Sequence, residues 1–222
     1  MNSLLPGKYR AVVFDLDGTL LDTLGDLAGS LNQALAEAGL PPHAKEEYRF
    51  MVGHGLETLV ARALPEALRT PARARPISRR FSEIYRTRQC ETTRPYDGIS
   101  GMLAELARLG ARLALLSNKA HPNTLEMAEH FFPGLFQVVL GLRPEVPPKP
   151  DPAGALEIAR KFALSPSCFV YLGDSGVDMK TATAAGMFPV GAAWGYRPAR
   201  ELREAGAEKI LRFPAELVDL FR

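Results

Sequence analysis

The chain has 222 residues, 46% of them hydrophobic and 23% charged, with a formal net charge of +2. This is globular composition, with length for one large domain or for one domain carrying a smaller insertion. The small net charge excludes a general nucleic-acid binder, which shows a much larger basic excess, and no run approaches the roughly 20 apolar residues of a membrane span.

The N-terminal region has one long apolar run, Ala11-Val12-Val13-Phe14, and it stops at Asp15. That is not an export signal. Two cysteines, Cys90 and Cys168, are too few for a disulfide framework and lack zinc-site spacing. Cys168 opens an apolar run and is expected as a buried free thiol. A soluble protein of a reducing, cytoplasmic compartment is expected, with no membrane contact.

In chain order, strands are predicted at 11–14, 113–116, 137–140 and 169–172, with a weaker one at 189–193. Each is apolar almost throughout and ends in a polar turn, the pattern of strands covered on both faces of a parallel sheet. Amphipathic or small-residue helices are predicted at 101–109, 152–162 and 178–185. The alternation predicts an α/β fold, a doubly wound (Rossmann-like) parallel-sheet core.

The connection between the first two strands is roughly a hundred residues long, against about thirty for a whole βαβ unit. Leu27, Leu31 and Leu35 recur at four-residue spacing, and Leu56, Leu59 and Val60 follow. A helical domain inserted after the first strand is expected at 21–94, leaving 1–20 and 95–222 as the core. The stretch 69–88 contains seven arginines. It reads either as a solvated helix face or as an electropositive entrance for an anionic substrate.

Four motifs carry chemistry. Asp15-Leu16-Asp17-Gly18-Thr19 follows the first strand. Ligands of open α/β sheets bind beyond the carboxyl ends of strands, so two carboxylates there can face one site. Gly18 permits close backbone approach and could offer an amide to a phosphate oxygen. A calcium loop is excluded: from Asp15, its required glycine would fall on Leu20 and its glutamate on Asp26.

Gly173-Asp174-Ser175-Gly176-Val177-Asp178 follows a later strand. Asp174 is placed as a metal ligand beside Asp15, or as a helix N-cap, and hard oxygen ligands suit Mg²⁺. A serine-protease reading of Ser175 fails, because the motif does not continue into Gly-Pro and no histidine has a supporting context. Ser117-Asn118-Lys119 ends the second core strand, where a hydroxyl and an amide could bind phosphate oxygens. Lys149 sits between Pro148 and Pro150, so its ammonium could be aimed at a site.

Taken in order, these motifs resemble those of the haloacid dehalogenase (HAD) superfamily of hydrolases, from about residue 9 to residue 222. The helical insertion is similar to the small cap domain of that family. Asp17 separates the chain from the dehalogenases themselves, which lack a second aspartate. Val52-Gly53-His54-Gly55-Leu56, Pro95-Tyr96-Asp97-Gly98, Ser117-Asn118-Lys119 and Pro148-Lys149-Pro150 further resemble phosphoglycolate phosphatases.

The resemblance implies a Mg²⁺-dependent phosphomonoester hydrolase for a small metabolite, 2-phosphoglycolate foremost. Asp15 would be the nucleophile that forms an aspartyl-phosphate, and Asp17 the general acid/base. Mg²⁺ would be held by Asp15, Asp174 and the backbone carbonyl of Asp17. Gly18, Thr19, Ser117, Asn118 and Lys149 would bind the phosphoryl group, with Asp178 behind them orienting Lys149 or a metal-bound water. His54, in the Gly53-His54-Gly55 loop, either reaches the site or marks a flexible helix start. Arg62 is either a partner for a substrate carboxylate or solvated. Other small phosphoesters (nucleotides, pyrophosphate), a phosphomutase and a non-catalytic binding module are the alternatives, and monomer and homodimer both stay open.

Overall fold

The computed structural model describes residues 8–222. The first seven residues of the expected core segment 1–20 lie outside the described residues. In chain order, β1 (Ala11–Phe14) is followed by the two-residue β2 (Leu21–Asp22) and by three helices, α1 (Leu24–Glu37), α2 (Leu56–Ala63) and α3 (Pro71–Arg88). The chain returns through β3 (Arg94–Pro95), α4 (Ile99–Arg108), β4 (Arg112–Ala120), α5 (His121–Phe131) and β5 (Val138–Leu142). It ends with α6 (Ala153–Phe162), β6 (Phe169–Gly173), α7 (Gly176–Ala185), β7 (Phe188–Ala192), α8 (Ala199–Glu204), β8 (Lys209–Leu211) and a 3-10 segment, Pro214–Phe221.

Six strands form one parallel sheet in the order β5-β4-β1-β6-β7-β8. The order reverses beside β1, the position where an open α/β sheet opens its ligand crevice. All four β1 residues are fully buried because alternate side chains enter opposite layers. Val12 and Phe14 pack with Met102, Leu103 and Met127 of α4 and α5. Ala11 and Val13 pack with Ile158, Phe162 and Ala182 of α6 and α7. Fully burying a side chain such as Phe14 or Val13 stabilises the fold by about 1.5–3 kcal/mol.

The expected doubly wound sheet is therefore present. Two helices, α5 and α8, and the edge strand β8 are additions to the expected set. β4 also runs past Leu116 to Ala120, so Ser117-Asn118-Lys119 lies within a strand extension with shifted register rather than in a turn. Cys168 is only half-buried, because it closes a short 3-10 turn before β6 rather than lying within the strand.

The three inserted helices share an apolar cluster built on Leu27, Leu31, Leu35, Val60, Ile77 and Phe81, which Tyr196 joins from the sheet side. The two chain passages that join them to the sheet pair with each other, Leu21 opposite Pro95 and Asp22 opposite Arg94. Just inside this ribbon, Asp26 accepts hydrogen bonds from the backbone N–H groups of Thr92 and Thr93 at 2.9 and 3.0 Å, and from both hydroxyls. Burial works against the charge of Asp26, but these donors outweigh it and hold its pKa below the ordinary value.

Most arginines of α3 and the turn before it are exposed, with Arg80 paired to Glu37 and Glu83 and Arg88 to Glu91. The inward face of α3 carries Phe81 and Tyr85 instead. The solvated-face reading of this segment fits. Among the described residues, no helix is long and apolar enough to cross a membrane.

Candidate active site

The carboxyl ends of β1, β4 and β6 bring together residues more than 150 positions apart in the chain. Asp15 follows β1 and is 7% exposed; Asp174 follows β6 and is 2% exposed; Asp178, in the first turn of α7, is fully buried. Oxygens from the three carboxylates lie within 4.8 Å of one another. Lys149 Nζ enters from the loop before α6, 2.8 Å from Asp15 Oδ1 and 2.7 Å from Asp178 Oδ1.

Local sequence explains each placement. Ser175 precedes α7, and its hydroxyl and backbone N–H both donate to Asp178 Oδ2, at 2.6 and 3.2 Å. The helix start thus fixes one Asp178 oxygen and leaves the other for Lys149. Gly18 has φ +84°, and a Cβ there would lie 2.3 Å from Asp174 Oδ2, so the turn after Asp15 requires glycine twice over. The Lys149–Pro150 peptide is cis. Asn118 clamps the lysine by its backbone: its Oδ1 accepts from Lys149 N–H at 2.9 Å, and its Nδ2 donates to Lys149 O at 3.0 Å.

Several expected phosphate contacts are spent elsewhere. The Asn118 amide is committed to Lys149 and to the carbonyl of Gly53, also at 3.0 Å, so it holds the lysine rather than offering a free donor. The Thr19 hydroxyl is fully buried and donates to Asp174 Oδ1 at 3.2 Å, which makes it an orienter of that carboxylate. The N–H of Gly18 donates to Leu21 O at 2.9 Å and is not presented to a ligand. His54 is exposed and does not line the cavity described next; the glycines on either side of it do. Burial first, then the charges of Arg62 and Arg197, lower the His54 pKa. Arg62 donates to the carbonyls of Phe50 and Met51, away from the site.

A cavity of about 100 Å³ lies over the cluster. Its floor includes Asp15, Asp17, Ser117, Asn118 and Lys149, and its roof includes Leu27, Leu56, Leu59 and Phe81 from the inserted helices. Ser117 Oγ accepts from Lys119 N–H at 3.2 Å, which leaves its own proton available to a ligand. Among the lining residues not singled out from sequence for a role of their own are Lys119 and Tyr85. Lys119 Nζ lies 3.0 Å from Asp17 Oδ1 and 2.7 Å from the Tyr85 hydroxyl. Lys119 was visible in the Ser-Asn-Lys motif, whereas nothing local distinguishes Tyr85 from a core tyrosine.

The electrostatics favour binding of a cation. Burial, then the charge of Asp178, pushes the Asp15 pKa up to about 7 despite Lys149. Burial, then Asp15 and Asp178, holds Asp174 well above the ordinary carboxylate value, against the N–H of Tyr196 at 2.7 Å and the Thr19 hydroxyl. For Lys149, burial opposes the charge, but Asp15 and Asp178 outweigh it and raise its pKa well above normal. Three carboxylates against one ammonium leave two negative charges uncompensated, the deficit that a divalent ion with hard oxygen ligands would cancel. The residues fit such an ion.

Comparison with known proteins gives this arrangement its context. A phosphoglycolate phosphatase of Haemophilus influenzae (strain ATCC 51907 / DSM 11121 / KW20 / Rd) is 31% identical over 220 residues, covering 96% of this chain and 98% of that one. A phosphoglycolate phosphatase of Pseudomonas putida KT2440 is 34% identical over 205 residues, covering 90% of this chain and 75% of that one. The crystal structure of a predicted phosphoglycolate phosphatase from Haemophilus somnus 129PT superposes with a TM-score of 0.91 at 28% identity, over 98% of this chain and 100% of that one. The family model for haloacid dehalogenase-like hydrolases matches residues 12–192, and the chain belongs to that family.

Proposed function

We propose that the chain hydrolyses phosphomonoesters of small metabolites through an aspartyl-phosphate on Asp15, with 2-phosphoglycolate as its best substrate. One observation carries this reading: Asp15, Asp174, Asp178 and Lys149 converge at the strand ends beneath a small cavity, in a member of a hydrolase family. The names of the relatives at about 30% identity support the choice of substrate.

Mg²⁺ would be held by the carboxylates of Asp15 and Asp174 and by the backbone carbonyl of Asp17; it supplies positive charge where a phosphate dianion would otherwise repel the nucleophile. Asp15 attacks phosphorus in line, with Lys149 and the Ser117 hydroxyl binding phosphoryl oxygens. Donors of this kind are worth about 3–4 kcal/mol each in the transition state. Asp17 gives a proton to the departing alkoxide, then takes one from the water that hydrolyses the aspartyl-phosphate. Thr19 and the backbone of Tyr196 orient Asp174, Asn118 positions Lys149, and Asp178 holds the lysine from behind.

The helices at 21–94 act as a cap that chooses the substrate and excludes bulk water, with the core at 1–20 and 95–222 carrying the chemistry. The paired β2–β3 linkers support this division, as does an apolar cluster drawn from 21–94 in all its buried members but Tyr196. The free thiols Cys90 and Cys168 suit a cytoplasmic enzyme.

Mg²⁺-dependent phosphate release across 2-phosphoglycolate, nucleoside monophosphates, pyrophosphate and sugar phosphates tests the reading. The highest kcat/KM is expected for 2-phosphoglycolate. A clear preference for a nucleotide or pyrophosphate would move the substrate while keeping the reaction; silence on every ester would remove the reaction as well.

A further inference from the structure

We infer that Lys119, assisted by Tyr85 of the inserted helices, is the receptor for an anionic group on the leaving alcohol. The site would thereby select phosphoesters whose ester carbon bears a carboxylate. This rests on the phosphatase reading above and adds the element that discriminates among substrates.

Two cations line the cavity, Lys149 and Lys119. Lys149 is engaged by Asp15 and Asp178 and faces the phosphoryl position. Lys119 projects from the far end of β4, its side chain is 7% exposed, and its ammonium touches both oxygens of Asp17, at 3.0 and 3.2 Å. An acid that protonates a leaving oxygen must come within about 3 Å of it. An ammonium one hydrogen bond beyond that acid therefore stands beside the substituents of the departing alcohol. A carboxylate on the ester carbon would fall within its reach.

The remaining lining leaves a negative charge few other partners. Leu27, Leu56, Leu59 and Phe81 offer only apolar surface. The polar members contributed by the helices are Ser82, Asn123 and Tyr85; the Ser82 hydroxyl already donates to Ser78 O at 2.9 Å and the Asn123 amide to Gln89 Oε1 at 2.8 Å, whereas Tyr85 touches Lys119 itself. Its hydroxyl accepts from Lys119 at 2.7 Å, while its own proton points to Met127 Sδ at 3.9 Å, a weak acceptor. A carboxylate bound to Lys119 would be a far better acceptor for that proton. Because Tyr85 belongs to α3 and Lys119 to β4, one small anion would engage the insertion and the sheet together.

The test compares kcat/KM for 2-phosphoglycolate and for ethyl phosphate, which replaces the carboxylate with a methyl group. The wild-type enzyme is expected to prefer 2-phosphoglycolate by about 10- to 100-fold, the worth of a hydrogen bond to a charged group. Lys119→Met should shrink that ratio by about tenfold or more, and Tyr85→Phe by a few-fold. Equal wild-type rates on the two esters would overturn the inference. So would a Lys119→Met enzyme that loses the same factor on both, since that is the signature of a residue serving only Asp17 or the fold. If Lys119→Met does not fold, the wild-type ratio and Tyr85→Phe decide. Phosphate release from other esters but from neither of these would sink the inference and leave the phosphatase reading standing; no release from any ester would sink both.

Discussion

Asp178 Oδ1 stands 2.7 Å from Lys149 Nζ, with the two side chains 0% and 4% exposed. The pair joins the first turn of α7 to the loop before α6, and the same ammonium faces Asp15. Removing it strips two buried carboxylates, Asp15 and Asp178, of their shared cation. Lys149→Met should lower kcat/KM by at least about 10²-fold. It should also cost about 3–5 kcal/mol of stability, measured by denaturant unfolding in EDTA. Wild-type stability in that variant would contradict the charge balance described here.

The state of Asp15 predicts how stability responds to pH when divalent ions are absent. Burial and then Asp178 push its pKa up to about 7 in the folded chain, against about 4 when unfolded. Between those values the folded state holds a proton that the unfolded state has released, so stability falls as pH rises. In EDTA, the melting temperature of wild type minus that of Asp15→Asn should decline from about pH 4 to about pH 7. Mg²⁺ should raise the wild-type melting temperature most at the alkaline end, where the ligands are ionised. A difference that stays flat across this window would contradict the account.

Asp26 should show the opposite sign. Its pKa is held below the ordinary value by Thr92 and Thr93. Its contribution is present above about pH 4 and is lost as pH falls through its lowered pKa. Asp26→Ala leaves two backbone N–H groups and two hydroxyls at the base of the insertion without their acceptor. The expected loss is about 2–4 kcal/mol at pH 7, read by thermal or denaturant unfolding.

Asp17→Asn removes the group assigned to leaving-group protonation. Turnover of ethyl phosphate should fall by about 10²-fold or more. para-Nitrophenyl phosphate, whose leaving group needs little help, should lose much less. Equal losses on the two esters would remove Asp17 from the acid role.

Much of this was legible in the sequence because parallel strands buried on both faces read as unbroken apolar runs. Asp15 and Asp174 each directly follow such a strand, where side chains of an open α/β sheet meet, whereas Lys149 lies in the loop before α6 and is marked only by its flanking prolines. What stayed hidden depends on partners far away in the chain. Thr19 and Asn118 have the right chemistry for phosphate, but their hydrogen bonds go to Asp174 and to the Lys149 backbone. Tyr196, whose N–H holds Asp174 while its hydroxyl accepts from Thr23 N–H at 2.9 Å, carries no local signal at all. The strands β2, β3 and β8 are two or three residues long, too short for any periodicity to register. His54 looked attractive between two glycines, yet the glycines are what bring that loop to the cavity.

The most direct test of the central claim is to trap the phosphoenzyme. Rapid acid quench during turnover of 2-phosphoglycolate with Mg²⁺, followed by peptide mass analysis, should find the phosphoryl group on the peptide containing Asp15. Asp15→Asn should fold, show no adduct and release no phosphate. An adduct on another residue, or an Asp15→Asn enzyme turning over at the wild-type rate, would contradict the assignment of Asp15 as the nucleophile.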